Sequence, residues 1–456
     1  MAGIGFELRK LLEKRSYFGL FQAYAYAGVI SSGPWVLSIV GILMVGILSA
    51  SVVVPASLVQ QFQVSVTYLI MLSLILSGPL QIAFTRFIAD RLFEKKENAV
   101  LPNFMGALLT VMAASGVLGL LLVLTLFPHE SDIYRMLMLA GFVILNGIWM
   151  STLLLSGLKQ YKQIVGMFAF GYTVVVASAL ALRSLGMEGL LFGFVLGHLV
   201  LLVGMVTIIL RNFPSDRLIA FGFARRGAMF PALMATGLLY NLAVWADKLM
   251  FWYAPDTGQA SIGPLHASLV YDLPVFLAYL AIIPGMAVFL IRIETDFVEY
   301  FDKFYTAVRE GGSLDTIERN RDEMISSVRQ GLFEIVKIQT IAVLVVMVAG
   351  PALLKWIGIS QLYLSLLYIQ VVAAGLQVVL LGILNVLFYL DRRREVVVLT
   401  GLLLVANVGL TGATLKFGAY WYGYGFAFAL LVTVFVGLLL LERKLETLEY
   451  ETFMLQ

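Results

Sequence analysis

The sequence predicts an all-α, polytopic membrane protein, and two observations carry that prediction. Hydrophobic residues make up 61% of the 456 positions and charged residues only 13%, which leaves too little polar surface for a soluble domain. Long apolar stretches alternate with short charged breaks from one end of the chain to the other. Such stretches match the roughly 20 residues that a helix needs to cross a bilayer.

Twelve windows have this length and apolar character, so the sequence predicts twelve transmembrane helices. Helices are favoured over barrel strands because the apolar runs do not alternate with polar residues. The predicted spans lie at 19–49, 62–85, 103–127, 133–157, 164–182, 189–210, 228–253, 264–291, 333–354, 361–390, 396–415 and 421–441.

The basic residues predict the orientation of these spans. With the N-terminus inside and the spans alternating, 26 of the 31 Lys and Arg residues fall in inner segments, as the positive-inside rule requires. Both termini are therefore predicted to be cytoplasmic. The formal net charge of +3 requires no nucleic-acid partner.

Six predicted spans precede a cytoplasmic connection at 211–227, and six follow it. This layout predicts two six-helix halves, 17–210 and 228–441, around a central path. The amphipathic N-terminus, 1–16, is predicted to be retained rather than cleaved as a signal peptide. Together with the tail, 442–456, it is expected in the cytoplasm.

One longer polar segment, 292–331, separates the eighth and ninth predicted spans. Phe297, Phe301 and Phe304 recur on one face of a predicted amphipathic helix, and a glycine pair ends that helix before a second one begins. Two interpretations stay open for this helical hairpin. It lies at the membrane surface, or its aromatic face docks a cytoplasmic partner.

Three ionisable residues fall within predicted spans, where a charge is costly unless it faces a cavity or a partner. Asp247 and Lys248 lie in the seventh span and Asp272 in the eighth. Adjacent helical residues point about 100° apart, so Asp247 and Lys248 are not expected to face the same wall. Lys248 is expected to pair with Asp272 and lock two spans together. The alternative is that all three form a gate or line an outer cavity.

Amide and aromatic side chains recur along single faces of several predicted spans. Flat rings stack on the apolar faces of sugars while amides bond to hydroxyls. The same residues also occur in interfacial belts and in helix contacts. The candidates for a substrate path are Tyr24, Asn146, Trp149, Asn241, Trp245, Lys248, Asp272, Tyr279, Gln370 and Gln377.

Catalytic chemistry is not predicted for this chain. There is no nucleotide-binding motif, no H-E-x-x-H motif and no carboxylate pair in an outer loop. With no Cys and only three His, a metal site is not expected either. We therefore expect no catalytic residues, no metal and no cofactor.

The opening of the chain carries a family resemblance. The segments AGIGFELRKLL at 2–12 and AYAYAGVISSGPWVLSIVGIL at 23–43 resemble the PelG family of Pel exopolysaccharide transporters. Length, predicted spans and the predicted hairpin agree with that family along the whole chain. The resemblance implies a MOP/MATE-like fold, related to lipid-linked-oligosaccharide flippases and to multidrug antiporters.

The resemblance also implies a substrate and partners. The substrate is Pel, a polymer rich in N-acetylgalactosamine, carried across the bacterial inner membrane during biofilm formation. The partners are a PelF-like cytoplasmic glycosyltransferase and PelD- and PelE-like membrane proteins. A neutral polymer suits an uncharged aromatic and amide lining. Two rivals stay open: a small-molecule or multidrug antiporter, and a non-transporting scaffold for the synthase.

Overall fold

Two compact helical units make up the computed structural model, which describes residues 17–158, 160–357 and 360–454. Unit A is Gly33–Leu269, and unit B combines the residues before Gly33 with those from Val270 onward. These units are defined by packing, whereas the predicted six-helix halves are defined by topology. The halves stay a prediction, and the predicted N-terminal segment at 1–16 lies outside the described residues.

Unit A is built from consecutive helices joined by short connections, apart from the longer one at 213–230. The first helix, α1, begins in unit B and continues into unit A, with Pro34 inside it. The helices are α1 (Tyr17–Ser49), α2 (Ser57–Phe93), α3 (Val100–Leu126), α4 (Asp132–Gly157), α5 (Tyr161–Leu182), α6 (Met187–Asn212) and α7 (Pro231–Tyr253).

Close packing in unit A depends on glycine where helices cross. A Cβ at Gly237 in α7 would overlap the carbonyl oxygen of Gly78 in α2. Because lipid tails are as apolar as leucine, membrane helices associate through such close backbone approach and not through a hydrophobic driving force. Aromatic side chains, among them Phe62 and Phe194, fill the remaining interior.

A short β-hairpin that the sequence analysis did not predict follows α7. Strand β1 (Gln259–Ile262) pairs antiparallel with β2 (Leu265–Ala267), and Gly263 makes the turn with a φ of +50°. The hydroxyl of Tyr68 in α2 donates to the carbonyl oxygen of His266 at 3.0 Å. The hairpin is thereby fixed to α2.

Unit B is dominated by one long helix and by a helix run that changes its winding. The run consists of α9, a π-helical turn and α10, and the long helix is α11, with 44 residues. The elements are α8 (Leu269–Leu280), α9 (Ile283–Ile291), the π-turn (Arg292–Phe297), α10 (Val298–Arg309), α11 (Leu314–Ile357), α12 (Leu364–Tyr389), α13 (Arg393–Phe417), α14 (Tyr424–Glu446) and α15 (Leu448–Met454).

The chain reverses between α10 and α11 at the glycine pair singled out in the sequence. Gly311 adopts a φ of +69°, which L side chains rarely adopt. The hydroxyl of Ser313 lies 2.9 Å from that of Thr316, just where α11 begins. Since α11 continues unbroken to Ile357, the second arm of the hairpin and the predicted ninth span form one helix.

The protein is a multi-pass membrane protein, but the predicted count of twelve spans is not confirmed. Among the described residues, ten single helices are long and apolar enough to cross a bilayer. The pair Leu269–Leu280 and Ile283–Arg309, bent by 40°, raises the count to eleven. Helix α7 occupies the predicted seventh span but falls short because Asn241, Asp247 and Lys248 lower its hydropathy.

Candidate functional site

A ladder of small polar side chains runs along α2 in unit A. Ser73, Ser77 and Gln81 are spaced four residues apart, and the first two are fully buried. The amide nitrogen of Gln81 donates to the Ser77 hydroxyl at 2.7 Å, and the indole nitrogen of Trp149 donates to the Ser73 hydroxyl at 2.8 Å. The path candidate Trp149 therefore joins α4 to α2 through its only polar atom.

The two asparagine candidates of unit A use their amide nitrogens within their own helices. Asn146 donates to the carbonyl oxygen of Phe142 at 2.8 Å, and Asn241 donates to that of Gly237 at 2.8 Å. Asn146 is fully buried, and its side-chain oxygen has no partner among the described residues. Asn146 therefore lies within the helix packing, whereas Asn241 is half-buried.

The charged residues of α7 are closer together than the sequence analysis expected. The Lys248 ammonium lies 3.3 Å from each carboxylate oxygen of Asp247 and 5.8 Å from the centre of the Trp245 ring. The charged groups meet because the long lysine side chain folds back along its own helix, where its ammonium donates to the carbonyl oxygen of Val244 at 2.9 Å. Which walls the two residues face stays a prediction. Both are buried, with Asp247 at 0% and Lys248 at 6% exposure. The pairing of Lys248 with Asp272 stays a prediction.

In unit B, phenol and amide groups join α8 to α12. The Gln370 amide nitrogen donates to the Tyr271 hydroxyl at 2.9 Å, and the Tyr279 hydroxyl donates to the Gln377 side-chain oxygen at 2.9 Å. All four side chains are buried. The structure thus brings the path candidates Tyr279 and Gln377 into direct contact, within a neutral polar seam.

The π-turn contains Arg292, a charged residue that was not among the candidates predicted from the sequence. Arg292 donates from Nε and Nη2 to the two carboxylate oxygens of Glu334 on α11, at 2.6 and 3.0 Å. Its remaining terminal nitrogen, Nη1, donates to Asp296 at 2.8 Å. Tyr24 on α1, a path candidate, lies within electrostatic range of the same guanidinium. The bonds of Arg292 to Glu334 fix the turn to α11.

A second carboxylate of the π-turn, Glu294, has only neutral partners among the described residues. Asn385 donates from its amide nitrogen to Oε1 at 2.7 Å, and the Tyr389 hydroxyl donates to Oε2 at 3.3 Å. The side-chain oxygen of Asn385 is buried and has no partner in the described part of the chain. All three side chains keep partial exposure.

Arg292 and Glu294 escaped prediction because they open a stretch rich in charges, which indicates a solvated segment. A signal for their surroundings did exist in α12. Gln370, Gln377 and Asn385 are seven and eight residues apart, a spacing that puts them on one face of a helix. Each contacts a polar side chain of α8 or of the π-turn.

The aromatic face predicted to dock a partner packs largely within unit B. Phe297 and Phe304 are fully buried, and Phe301 is half-buried. The ring of Tyr389 on α12 lies 5.6 Å from those of both Phe297 and Phe301. Docking through these rings stays a prediction, and it would require the hairpin to detach from α12.

Comparison with protein families gives one match that covers nearly the whole chain. The model described as "PelG: Putative exopolysaccharide Exporter (EPS-E)" matches residues 1–453. No curated protein matches the chain.

Solved structures of MOP-superfamily transporters share the fold. An outward-facing multidrug resistance MATE family transporter has a TM-score of 0.66 at 14% identity, over 93% of this chain and 96% of that one. A MOP superfamily transporter from Pyrococcus furiosus has a TM-score of 0.60 at 14% identity, over 93% and 96%. An inward-facing MATE transporter has a TM-score of 0.56 at 13% identity, over 93% and 96%. At this identity the likeness shows a MATE-like fold alone.

Proposed function

Because the chain belongs to the PelG family of exopolysaccharide exporters, we propose that it carries Pel, a polymer rich in N-acetylgalactosamine, from the cytoplasm across the bacterial inner membrane during biofilm matrix production. The observation that carries this proposal is the family match over residues 1–453. A MATE-like fold with ten or eleven apolar spans among the described residues supports it.

The chemistry of the interior suits a neutral polymer. The buried polar contacts between α8 and α12 are phenol–amide bonds that carry no charge. Such groups exchange hydrogen bonds with sugar hydroxyls without a large desolvation cost, because neither partner is ionised. Unit A offers similar neutral chemistry in the serine and glutamine ladder of α2.

The proposed partners follow from the same family. A PelF-like cytoplasmic glycosyltransferase would supply the growing chain, and PelD- and PelE-like membrane proteins would complete the assembly. With both termini and the α10–α11 hairpin in the cytoplasm, as the basic residues predict, the hairpin lies on the side where the synthase works. Alternating access and a synthesis-driven conduit are both compatible with this arrangement.

The experiment is deletion of the gene followed by measurement of secreted and cell-associated polysaccharide, with complementation by the wild-type chain. We expect secreted N-acetylgalactosamine polymer to disappear on deletion and to return on complementation. Unchanged secretion would contradict the proposal.

The same strains separate the rival functions. Increased sensitivity of the deletion strain to small toxic compounds, with unchanged polysaccharide secretion, would assign the chain to the multidrug antiporters.

A scaffold is tested with the variant Gln377→Leu, which removes the hydrogen bond between Tyr279 and Gln377 from the polar seam. Binding of the synthase to this variant is measured by co-purification. Retained synthase binding with lost secretion supports transport. Full secretion by a variant that inserts normally would argue against a transport role for the seam.

A further inference from the structure

We infer that Glu294, Asn385 and Tyr389 form a binding site for the hydroxyl and amide N–H groups of a sugar ring. This inference rests on the proposed function as a polysaccharide exporter and assigns one contact point to it. It concerns a region that the sequence analysis treated as a solvated segment.

The charge of Glu294 is not balanced by a cation bound to it among the described residues. Its two hydrogen-bond donors, Asn385 and Tyr389, are both neutral. The nearby guanidinium of Arg292 is already engaged by Glu334 and Asp296. Glu294 is therefore placed to receive hydrogen bonds from a ligand.

The site has more hydrogen-bond acceptors than donors among the described residues. A carboxylate offers about four lone-pair positions, and the described residues fill two of those of Glu294. The side-chain oxygen of Asn385 is buried without a donor, an arrangement that native proteins usually avoid. A ligand that fits must supply several donors at once. Vicinal hydroxyls and the N–H of an acetamido group do so.

The local backbone at Glu294 is irregular. The π-helical turn inserts at Arg292–Phe297 between two regular helices, and such turns occur frequently at functional sites. Within this turn the side chain of Arg292 contacts α11 and that of Glu294 contacts α12, although the two residues are only two positions apart in the sequence. Arg292 fixes the turn, and this leaves the Glu294 carboxylate held in place by its two neutral donors.

The aromatic surroundings complete the fit to a sugar. The Tyr389 ring packs against Phe297 and Phe301, each with its centre 5.6 Å away. Phe301 is only half-buried, so the C–H face of a sugar is expected to pack against it. A simple metal ion fits less well. Among the described residues, no three His, Cys, Asp or Glu side chains converge as metal ligands.

The site lies near the α10–α11 hairpin, which the basic residues predict to be cytoplasmic. A polymer made in the cytoplasm would meet this end of unit B early in its passage. The inferred role is therefore contact with the arriving chain.

The test measures binding of an N-acetylgalactosamine tetramer to the full-length chain in lipid nanodiscs, by calorimetry. Glu294→Gln keeps the side-chain shape but replaces one acceptor with a donor. We expect at least about tenfold weaker binding, which corresponds to about 1.4 kcal/mol. Tyr389→Phe, which preserves the packing, should weaken binding less. The matched control is Glu299→Gln, on the first turn of α10.

Each outcome decides the inference separately from the proposed function. Weakened binding in the Glu294 and Tyr389 variants, with the control unchanged and all melting temperatures alike, supports the site. Equal binding by wild type and both variants overturns it, as does a wild type that does not bind the tetramer. If Glu294→Gln abolishes secretion but binds the tetramer like wild type, the inference is also overturned, because the Glu294 carboxylate would then serve a step other than sugar binding. The gene deletion measures export independently of all these results.

Discussion

The guanidinium of Arg292 holds Glu334 through two parallel hydrogen bonds, from Nε to Oε2 at 2.6 Å and from Nη2 to Oε1 at 3.0 Å. These bonds join the π-turn to the middle of the long helix α11. Bidentate pairs of this kind fix both distance and orientation. The π-turn, where the winding changes between α9 and α10, is therefore held at Glu334 of α11.

We expect Arg292→Lys to destabilise the protein although the charge is kept. Lysine is a point charge that cannot reproduce the planar fork, so one of the two bonds to Glu334 is lost together with the bond to Asp296. Charged hydrogen bonds contribute roughly 1.5–3 kcal/mol each, less here because the pair keeps about a quarter of its side-chain exposure. The measurement is the melting temperature in nanodiscs. Arg394→Lys, at an exposed position, is the control and should melt like wild type.

Gly237→Ala should impair folding far more than the same change at Gly166. The new Cβ at Gly237 would overlap the carbonyl oxygen of Gly78, which is backbone and cannot move aside. Gly166 has no atom within 4 Å of the equivalent position, so alanine there should be neutral or mildly stabilising. Yield of folded protein after size-exclusion chromatography measures both. Equal yields for the two variants would show that α2 and α7 separate easily.

The sequence predicted the membrane helices well because each apolar window must satisfy its backbone hydrogen bonds internally. It missed the β-hairpin at 259–267, which is too short to leave a periodic pattern. It also missed the charge pairing of Asp247 with Lys248. Side-chain length, and not the direction of Cβ, decides whether those two groups meet.

The site was harder to predict than the fold. Gln370 and Gln377 were recognised as polar positions in an apolar helix, but their phenol partners lie about 99 and 98 residues away in sequence. Glu294 lies in a segment whose composition indicates solvent exposure. Only the packing of α12 against the π-turn distinguishes it from its exposed neighbours.

Phe304→Ala should reduce stability, whereas Phe301→Ala should have a smaller effect. The Phe304 ring is fully buried, and truncation of a buried phenylalanine costs about 3–5 kcal/mol. Phe301 is half-buried and loses less apolar contact. Melting temperatures measure the difference. If instead Phe304→Ala melts like wild type and loses only synthase binding, the rings dock a partner and the hairpin detaches to do so.

The buried pair in α7 predicts a non-additive double substitution. Asp247→Asn or Lys248→Met alone leaves one charge buried without this partner, and breaking such a pair costs about 3–5 kcal/mol. The double variant removes both charges, so we expect it to be more stable than either single variant. Melting temperatures and membrane insertion measure this. Export that is lost in a stable, inserted double variant would favour the gate interpretation over a structural one.

The packing of α15, at the C-terminal end of the described chain, should be sensitive to acid. Glu451 on α15 accepts a hydrogen bond from Lys444 at 2.9 Å and pairs with Arg392. Burial raises the pKa of the Glu451 carboxyl, but Lys444 and Arg392 outweigh it and the pKa is lowered from 4.5. A depressed folded-state pKa stabilises the protein above the unfolded value, and this contribution is lost as pH falls through the folded value.

Wild type should therefore melt above Glu451→Gln at pH 7, and the two melting temperatures should converge as the pH falls below 4.5. Glu446→Gln is the control, since Glu446 is exposed at the end of α14 and has no ion pair with the described residues. It should melt like wild type at pH 7. A gap between wild type and Glu451→Gln that persists unchanged to low pH would mean that packing of the side chain, and not its charge, holds α15 in place.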